Sequence, residues 1–198
     1  MTGPRVSSAT VLAFFEAEIA KGRPLVPDPA TVSGLGTYRK YLQAVTLMAD
    51  TAVGKVLDVG CNRGSVEFLF HRLHPAKAAQ TAIHGLDVSG QAIERATALG
   101  LPNCVFRTYD GYSLPYESNT FDLVCMVEVI EHVMDKERLL REVSRVLTPL
   151  GRLFITTPNP ECWALKAQLA LWRTLHKLRR KPLPAKDAFI SHACKASV

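Results

Sequence analysis

The sequence predicts an α/β fold in which a doubly wound, mostly parallel sheet forms a single domain. Between residues 38 and 157, short apolar segments typical of buried strands alternate with segments whose apolar residues recur every three or four positions. A length of 198 residues with 47% hydrophobic content suits one such domain and is too short for two. Glycines and prolines are dispersed, and no uncharged apolar run approaches the roughly 18 residues that span a bilayer. These observations exclude disordered, collagen-like and membrane-spanning chains.

Each element follows from its local pattern. Five residues at helical spacing predict an amphipathic helix ahead of the first strand: Tyr38, Tyr41, Leu42, Val45 and Met48. The elements predicted after it are strand Lys55–Val59, helix Ser65–Leu73, strand Ala82–Asp87, helix Gly90–Leu99, strand Cys104–Thr108, strand Phe121–Val127, helix Lys136–Leu147 and strand Arg152–Thr157. Pro75–Thr81 is expected to be a loop. Strands separated by helices imply crossovers, which pair neighbouring strands in parallel.

The chain divides into three regions. Residues 1–36 are interpreted as an N-terminal arm with one short helix, Val11–Ala20, and residues 37–160 hold the alternating elements. Residues 161–198 hold an apolar helix with a basic face, Cys162–Leu178, and a polar tail. The net charge lies in this last region, because residues 162–198 contain eight Lys or Arg and one acid, whereas the rest contains sixteen Lys or Arg against seventeen acids.

The basic C-terminal region bears on possible partners. A nucleic acid or an anionic membrane would meet this tail rather than the near-neutral body of the chain. The basic helix has three interpretations: a membrane-surface element, a lid over a substrate pocket, or an ordinary helix packed on the sheet. Its broad apolar face favours the last two over membrane contact.

The cysteines and the N-terminus indicate a cellular compartment. The five cysteines are an odd number without a C-x-x-C pair, which suits neither a disulfide framework nor a zinc ribbon: Cys61, Cys104, Cys125, Cys162 and Cys194. The apolar run Val11–Phe15 is too short for the core of a secretory signal. We therefore expect reduced thiols and a cytoplasmic protein.

A glycine-hinged loop follows the first strand. Gly60 and Gly64 stand at G-x-x-x-G spacing, which differs from the G-x-G-x-x-G of dinucleotide sites, and no Lys-Ser/Thr follows as a P-loop requires. The loop can bring its backbone close to a nucleoside, with Asp58 available to orient a polar or cationic group. The alternative is that the two glycines serve chain reversal alone.

Asp87 ends the second predicted strand, where doubly wound folds commonly bind ribose hydroxyls with a carboxylate. It lies 27 residues after Gly60, which is longer than the usual spacing of about 20, and the Pro75–Thr81 insertion accounts for the excess. The alternative role is an N-cap for the following helix, since Asp is a favoured cap. The two roles are compatible.

Five motifs in order resemble class I S-adenosylmethionine-dependent methyltransferases over about residues 38–160: VLDVGCNRG, GLDVS, YDGYSLPYESNTFDLV, EVIEHV and EVSRVLTPLGRLFITTPNP. The resemblance implies that Asp58, Gly60 and Gly64 line the methionine end of the cofactor and that Asp87 holds its ribose. It also implies that Asp110 and Gly111 meet the adenine. The remaining residues it assigns to the cofactor site are Cys61, Asn62, Val88 and Glu128.

Two features depart from the family pattern. Asn62 stands where the family usually has a second glycine, and since Asn tolerates a positive φ, we expect the loop to survive. Complete members follow the fifth strand with a helix and an antiparallel β6–β7 hairpin, for which residues 179–198 are too short and polar. We therefore expect one of two situations: the chain is a natural short form or a fragment, or its last strand is covered by the tail or by a second copy in a homodimer.

The run Glu128–His132 is similar to a segment of ubiquinone-pathway O-methyltransferases and small-RNA 2′-O-methyltransferases, and the resemblance implies a divalent-metal site. Glu128, Glu131 and His132 stand at i, i+3 and i+4, so a helical turn would place them on one face, with His192 as a candidate fourth ligand. Mg²⁺ or Mn²⁺ suits such ligands, and Zn²⁺ is an alternative. The other interpretation is that Glu131 or His132 only caps and anchors the turn.

The expected function is transfer of a methyl group from S-adenosylmethionine to an oxygen, on a small molecule or a nucleic-acid hydroxyl. His132 is the histidine that motif order places at the site, where it could act as a base toward the acceptor. The alternative is a non-catalytic methyltransferase-like binding module, whereas the glycine spacing disfavours an NAD-dependent oxidoreductase.

Overall fold

A computed structural model describes residues 24–50 and 54–158, together with the separate positions 16, 17 and 22. The helices are α1 (Val32–Asp50), α2 (Ser65–Leu73), α3 (Pro75–Ala78), α4 (Gly90–Thr97) and α5 (Lys136–Val146), and the strands are β1 (Lys55–Val59), β2 (Ala82–Asp87), β3 (Cys104–Thr108), β4 (Phe121–Val127) and β5 (Leu147–Thr156). A single 3-10 turn covers Ile130–His132.

The five strands form one sheet in the order β3-β2-β1-β4-β5, and every pair of neighbours is parallel. The strand order reverses between β1 and β4, so crossovers leave the central strand in both directions. Open sheets of this kind bind ligands at the carboxyl ends of their strands, beside such a reversal. The predicted doubly wound fold is therefore confirmed.

Apolar residues cover both faces of the sheet. In β1, Val56 packs in a cluster with residues of α1 and α2, whereas Leu57 and Val59 pack in a second cluster with residues of α5. This division follows from the alternation of side chains along a strand. Asp58, two residues after Val56, therefore projects towards the face that α1 and α2 cover.

The structure corrects several predicted boundaries. Residues Pro75–Ala78, expected to be part of a loop, form the short helix α3, with Pro75 in the first turn, where its missing N–H costs nothing. The last strand begins at Leu147 rather than Arg152, because an irregularity in its pairing with β4 lets the chain bulge around Leu150 and rejoin the ladder. Helices α4 and α5 end one or two residues earlier than predicted.

Several expectations fall outside the described residues: the helices Val11–Ala20 and Cys162–Leu178, the basic tail with His192, and the missing C-terminal hairpin. Among the helices that the structure describes, none combines the length and the apolar character needed to cross a membrane.

Candidate functional site

The carboxyl ends of the parallel strands lie at one edge of the sheet, and the predicted site residues follow them there. The loop after β1 holds residues 60–64, and the loop after β2 begins at residue 88. Residues 109–120 follow β3, and residues 128–135 follow β4. The topology thus brings the predicted residues of four segments to the same edge.

Main-chain hydrogen bonds hold the glycine loop against β2. The N–H groups of Gly60 and Cys61 both donate to the carbonyl of Leu86, at 2.7 and 3.0 Å. Gly60 has a φ of 78°, and a Cβ at this position would collide with Val129 Cγ2. Asn62 adopts a φ of 51°, so the expected positive φ is confirmed. The loop therefore requires glycine at its first position and tolerates Asn at its third.

Asp87 fastens this loop to the next one. Its Oδ2 accepts from the Asn62 N–H at 2.9 Å, and its Oδ1 accepts from the Ser89 N–H at 2.9 Å. Burial raises the pKa of Asp87, and the hydrogen bonds from Ser89 and Asn62 oppose that rise. The N-cap of α4 is Ser89, whose Oγ accepts from the Ala92 N–H at 3.3 Å, so the alternative that Asp87 is the cap is wrong.

The loop after β3 lies beside the end of β2. Gly111 has a φ of 89°, and a Cβ there would come within 3.4 Å of Val88 Cγ1. Asp110 Oδ1 accepts from the N–H groups of Tyr112 and Ser113, at 2.8 and 2.6 Å. These two bonds lower the pKa of Asp110 and keep it ionised at the surface. Asp110, Gly111 and Val88 thus form one continuous stretch of the edge.

Helix α5 holds the far end of this loop. Arg145 forms an ion pair with Glu142 at 2.7 Å, and its guanidinium also donates to the carbonyls of Leu114 and Tyr116. Glu142 Oε2 in turn accepts from the Leu114 N–H at 3.1 Å. The hydrogen bonds from Arg145 lower the pKa of Glu142 to about 2. The motifs gave no indication of this anchor, because the residues that form it lie on separate elements.

Asp58 is buried directly beneath the loop. Only 3% of its surface is exposed, and its Oδ1 has no hydrogen-bond partner among the described residues. Burial raises the pKa of Asp58 well above its ordinary value, and the negative charges of Glu67 and Asp87 add to the rise. Burial likewise raises the pKa of the Cys61 thiol, so Cys61 lines the loop as a neutral group.

Glu128 is tied into the end of β4. It has a φ of 59°, which few non-glycine residues adopt, and its N–H donates to the Thr156 carbonyl at 3.0 Å. Thr156 Oγ1 donates to Glu128 Oε1 at 3.1 Å, and Lys40 Nζ lies 2.9 Å from Glu128 Oε2. Lys40 comes from α1 and was not among the predicted site residues.

The predicted metal-binding turn is not formed. Only Ile130–His132 is helical, as a 3-10 turn, and Glu128 lies outside it with a left-handed backbone, so the α-helical spacing of the three side chains is lost. Glu131 accepts instead from Thr157 Oγ1 at 3.3 Å, and its Oε1 lies 3.9 Å from His132 Nε2. Within residues 24–50 and 54–158, no three His, Cys, Asp or Glu side chains are grouped to hold a metal ion.

The residues before α1 contact the start of α2. Ser65 Oγ donates to the carbonyl of Leu25 at 2.7 Å, and Arg63 Nη2 donates to the carbonyl of Pro24 at 3.0 Å. Residues 24 and 25 of the predicted N-terminal arm therefore lie against the glycine loop and the start of α2. Backbone carbonyls make both contacts, so no side-chain pattern in the sequence could have revealed them.

The comparisons with known proteins agree on one family. A family model described as a methyltransferase domain matches residues 36–190. The chain is 34% identical over 134 residues to methyltransferase GfsG of Streptomyces halstedii, covering 65% of this chain and 47% of that protein. It is also 34% identical over 130 residues to a ubiquinone biosynthesis O-methyltransferase of Xanthomonas oryzae pv. oryzae, covering 63% of this chain and 52% of that protein.

A solved structure shares the fold. The S-adenosylmethionine-dependent methyltransferase from Aquifex aeolicus superposes with a TM-score of 0.53 at 19% identity, covering 74% of this chain and 87% of that one. The chain described above spans about half the length of the two curated relatives.

Proposed function

Because this chain belongs to the methyltransferase-domain family, we propose that it binds S-adenosylmethionine and transfers its methyl group to a hydroxyl oxygen of a small molecule. The observation that carries the proposal is the loop after β1, with its two left-handed glycines and the buried acceptor oxygens beside it. An oxygen acceptor is favoured by the likeness to a ubiquinone biosynthesis O-methyltransferase.

The residues at the loop fit the methionine end of this donor. Asp58 Oδ1 and Asn62 Oδ1 are buried acceptors without a donor among the described residues, and an α-ammonium group would supply the missing N–H groups. Gly60 leaves no room for a side chain, because a Cβ there would collide with Val129, so glycine allows the loop backbone to pack closely against the residues after β4.

The ribose and adenine roles follow from the same edge. Each Asp87 oxygen accepts one backbone N–H and retains a second lone pair for a ribose hydroxyl. Asp110 is ionised and fixed by two backbone bonds, so it can accept from the adenine amino group, while Val88 offers an apolar surface that is 37% exposed.

The chemistry needs little from the chain beyond positioning. The bound donor supplies an activated methyl group on a sulfonium, and the chain contributes proximity, orientation and exclusion of water. We propose His132 as the base that takes the proton from the acceptor hydroxyl, with Glu131 beside it to favour the imidazolium. Burial raises the pKa of Glu131 to about 7, so it is partly ionised near neutral pH.

A binding module without turnover is the second candidate. The Lys40–Glu128 ion pair favours it, because this pair already occupies the carboxyl end of β4, at the edge of the sheet where a second substrate would have to enter. In such a module the loop after β1 would still bind the donor, and no methyl group would leave it.

The test separates binding from turnover. We expect calorimetry to detect binding of S-adenosylhomocysteine, and we expect chromatography to detect its formation from S-adenosylmethionine when hydroxylated small molecules are added. His132→Ala should lower kcat on the order of a hundredfold or more while leaving the affinity for the product S-adenosylhomocysteine unchanged. His74→Ala, at the far end of α2 from the loop, is the matched control. Binding without any turnover would favour the module, and no binding would overturn both candidates.

A further inference from the structure

A second carboxyl group lies buried behind Asp58. Glu67 belongs to α2, and none of its surface is exposed. Asp58 projects to the face of the sheet that α2 covers, which brings the two acids together. The motifs assigned no role to Glu67, and a buried glutamate in an apolar layer is rare unless it is paired.

If both groups were ionised carboxylates, their negative charges would be buried without a nearby cation or hydrogen-bond donor in the part of the chain that the structure describes. Asp58 Oδ1 and both Glu67 side-chain oxygens have no donor among the described residues. The titratable groups that face the pair are neutral or acidic: Tyr41 on α1, Cys61 on the loop, Asp87 on β2, Cys104 on β3 and Cys125 on β4. Tyr41 donates to none of these three oxygens, because they have no hydrogen-bond partner among the described residues.

A proton on either acid supplies the missing hydrogen-bond donor. A protonated carboxyl group donates one hydrogen bond, and the two groups are close enough for such a bond between them. Burial raises the pKa of both Asp58 and Glu67, which favours retention of a proton at neutral pH. A buried acid kept neutral so that it can donate a hydrogen bond is a known device in active sites.

We propose that Glu67 is a positioning residue that takes up the proton of this pair when the cationic end of the methyl donor reaches Asp58. The O–H bond on Asp58 breaks and an O–H bond on Glu67 forms, so no proton leaves the buried layer. Asp58 then receives the ammonium group as a carboxylate, oriented by a hydrogen bond from Glu67. The inference rests on the proposed function.

The role proposed for Glu67 depends on hydrogen bonding as well as on packing. Without it, Asp58 would have to release its proton to solvent before it could accept a cation, and its charge would have no internal donor. An amide at position 67 can donate the same hydrogen bond permanently, whereas an aliphatic side chain of similar size cannot. Glu67→Gln and Glu67→Leu therefore separate hydrogen bonding from packing.

The experiment measures S-adenosylhomocysteine binding by calorimetry in buffers of different ionisation enthalpy at about pH 8, which counts the protons released. We expect the wild type and Glu67→Gln to bind with similar affinity and to release few protons. Glu67→Leu should bind on the order of tenfold more weakly and release close to one proton. Glu94→Gln and Glu94→Leu, on the exposed face of α4, are matched controls and should not change binding.

Infrared difference spectra provide a second measurement that works even if Glu67→Leu fails to fold. We expect the carboxylic-acid C=O band of the wild type to persist when the product binds, since the proton stays within the pair. Its disappearance, or equal weakening of binding in both Glu67 variants, would overturn the inference and leave the proposed function intact. Failure of the wild type to bind the product at all would overturn both.

Discussion

The β1–β2 side and the β4 side of the sheet edge use their carboxyl groups in opposite ways. On the first side, backbone N–H groups shape the loop and Asp58 is buried without a donor. On the second side, Lys40 meets Glu128 and Thr157 donates to Glu131. The first side has no cation among the described residues to meet its buried carboxyl groups, whereas the second side has Lys40, although Glu131 Oε1 there has no hydrogen-bond partner among the described residues.

This difference indicates where a ligand completes the structure. A buried acceptor without a donor costs free energy, and a ligand that supplies the donor recovers that cost on binding. A buried ion pair gives a ligand less to gain, but it fixes the backbone at the strand end. The methyl donor, S-adenosylmethionine, should therefore bind on the β1–β2 side. The β4 side should set the geometry that the substrate receiving the methyl group meets.

The largest expected effect comes from Gly60→Ala, which disrupts the loop on the β1–β2 side. The new Cβ would collide with Val129 and force a left-handed backbone on alanine, so we expect a loss of about 2–4 kcal/mol in the free energy of unfolding. Gly100→Ala is the matched control, because Gly100 has a φ of 61° and open space around it, and it should cost about 1 kcal/mol. Urea unfolding measures both, and equal costs would mean that the packing against Val129 is unimportant.

Asp87→Ala tests the same side through its hydrogen bonds. The change leaves the N–H groups of Asn62 and Ser89 without their acceptor and removes the carboxylate proposed for the ribose. We expect product binding to weaken by about 1–3 kcal/mol, as calorimetry would report. Unchanged affinity in a folded variant would remove Asp87 from the binding site.

Most of the fold could be predicted, because its information is local. Apolar runs and helical spacing placed the five strands, and glycine or proline marked most of their ends. The short helix at Pro75 was missed because its four residues are too few to show a period. The start of β5 was missed because Pro149 and Gly151 look like a turn, whereas pairing with β4 extends the strand across them.

The site was predicted where a loop carries its own signature and missed where distant elements meet. The positive φ at Asn62 followed from its residue type. The helical turn expected over Glu128–His132 was wrong because helical spacing was assumed at Glu128, where the backbone is left-handed. Lys40 and Glu67 are ordinary polar residues of helices in the sequence, and only the packing of α1 and α2 on the sheet brings them to the edge.

Lys40→Met tests the β4 side. It leaves Glu128 without its cation, and because both side chains are only 16% and 14% exposed, we expect a loss of about 1–2 kcal/mol in unfolding free energy. Affinity for S-adenosylhomocysteine should fall if Glu128 belongs to the cofactor site, as the family resemblance implies, and stay unchanged if the contacts of the methyl donor are confined to the β1–β2 side. The double variant with Glu128→Gln should recover part of the loss, which would identify the ion pair as its cause.

The smallest expected effect is a pH-dependent gain in stability from Glu131→Gln. Burial, followed by the charge of Glu128, raises the pKa of Glu131 from 4.5 to about 7 in the folded protein. The folded state therefore holds a proton that the unfolded state has already released, and this residue lowers stability as the pH rises between those two values. The penalty is absent below about pH 4.5 and complete above about pH 7.

Glutamine at this position keeps an oxygen for the Thr157 hydroxyl and carries no charge. We expect the variant to be more stable than the wild type by about 1 kcal/mol near pH 8, a value reduced for solvent screening, and equally stable near pH 4.5. Glu94→Gln, on the exposed face of α4, is the control and should show no pH-dependent difference. If urea unfolding gave Glu131→Gln the same stability as the wild type at both pH values, Glu131 would be fully compensated, and the contrast between the two sides would be sharper than the geometry indicates.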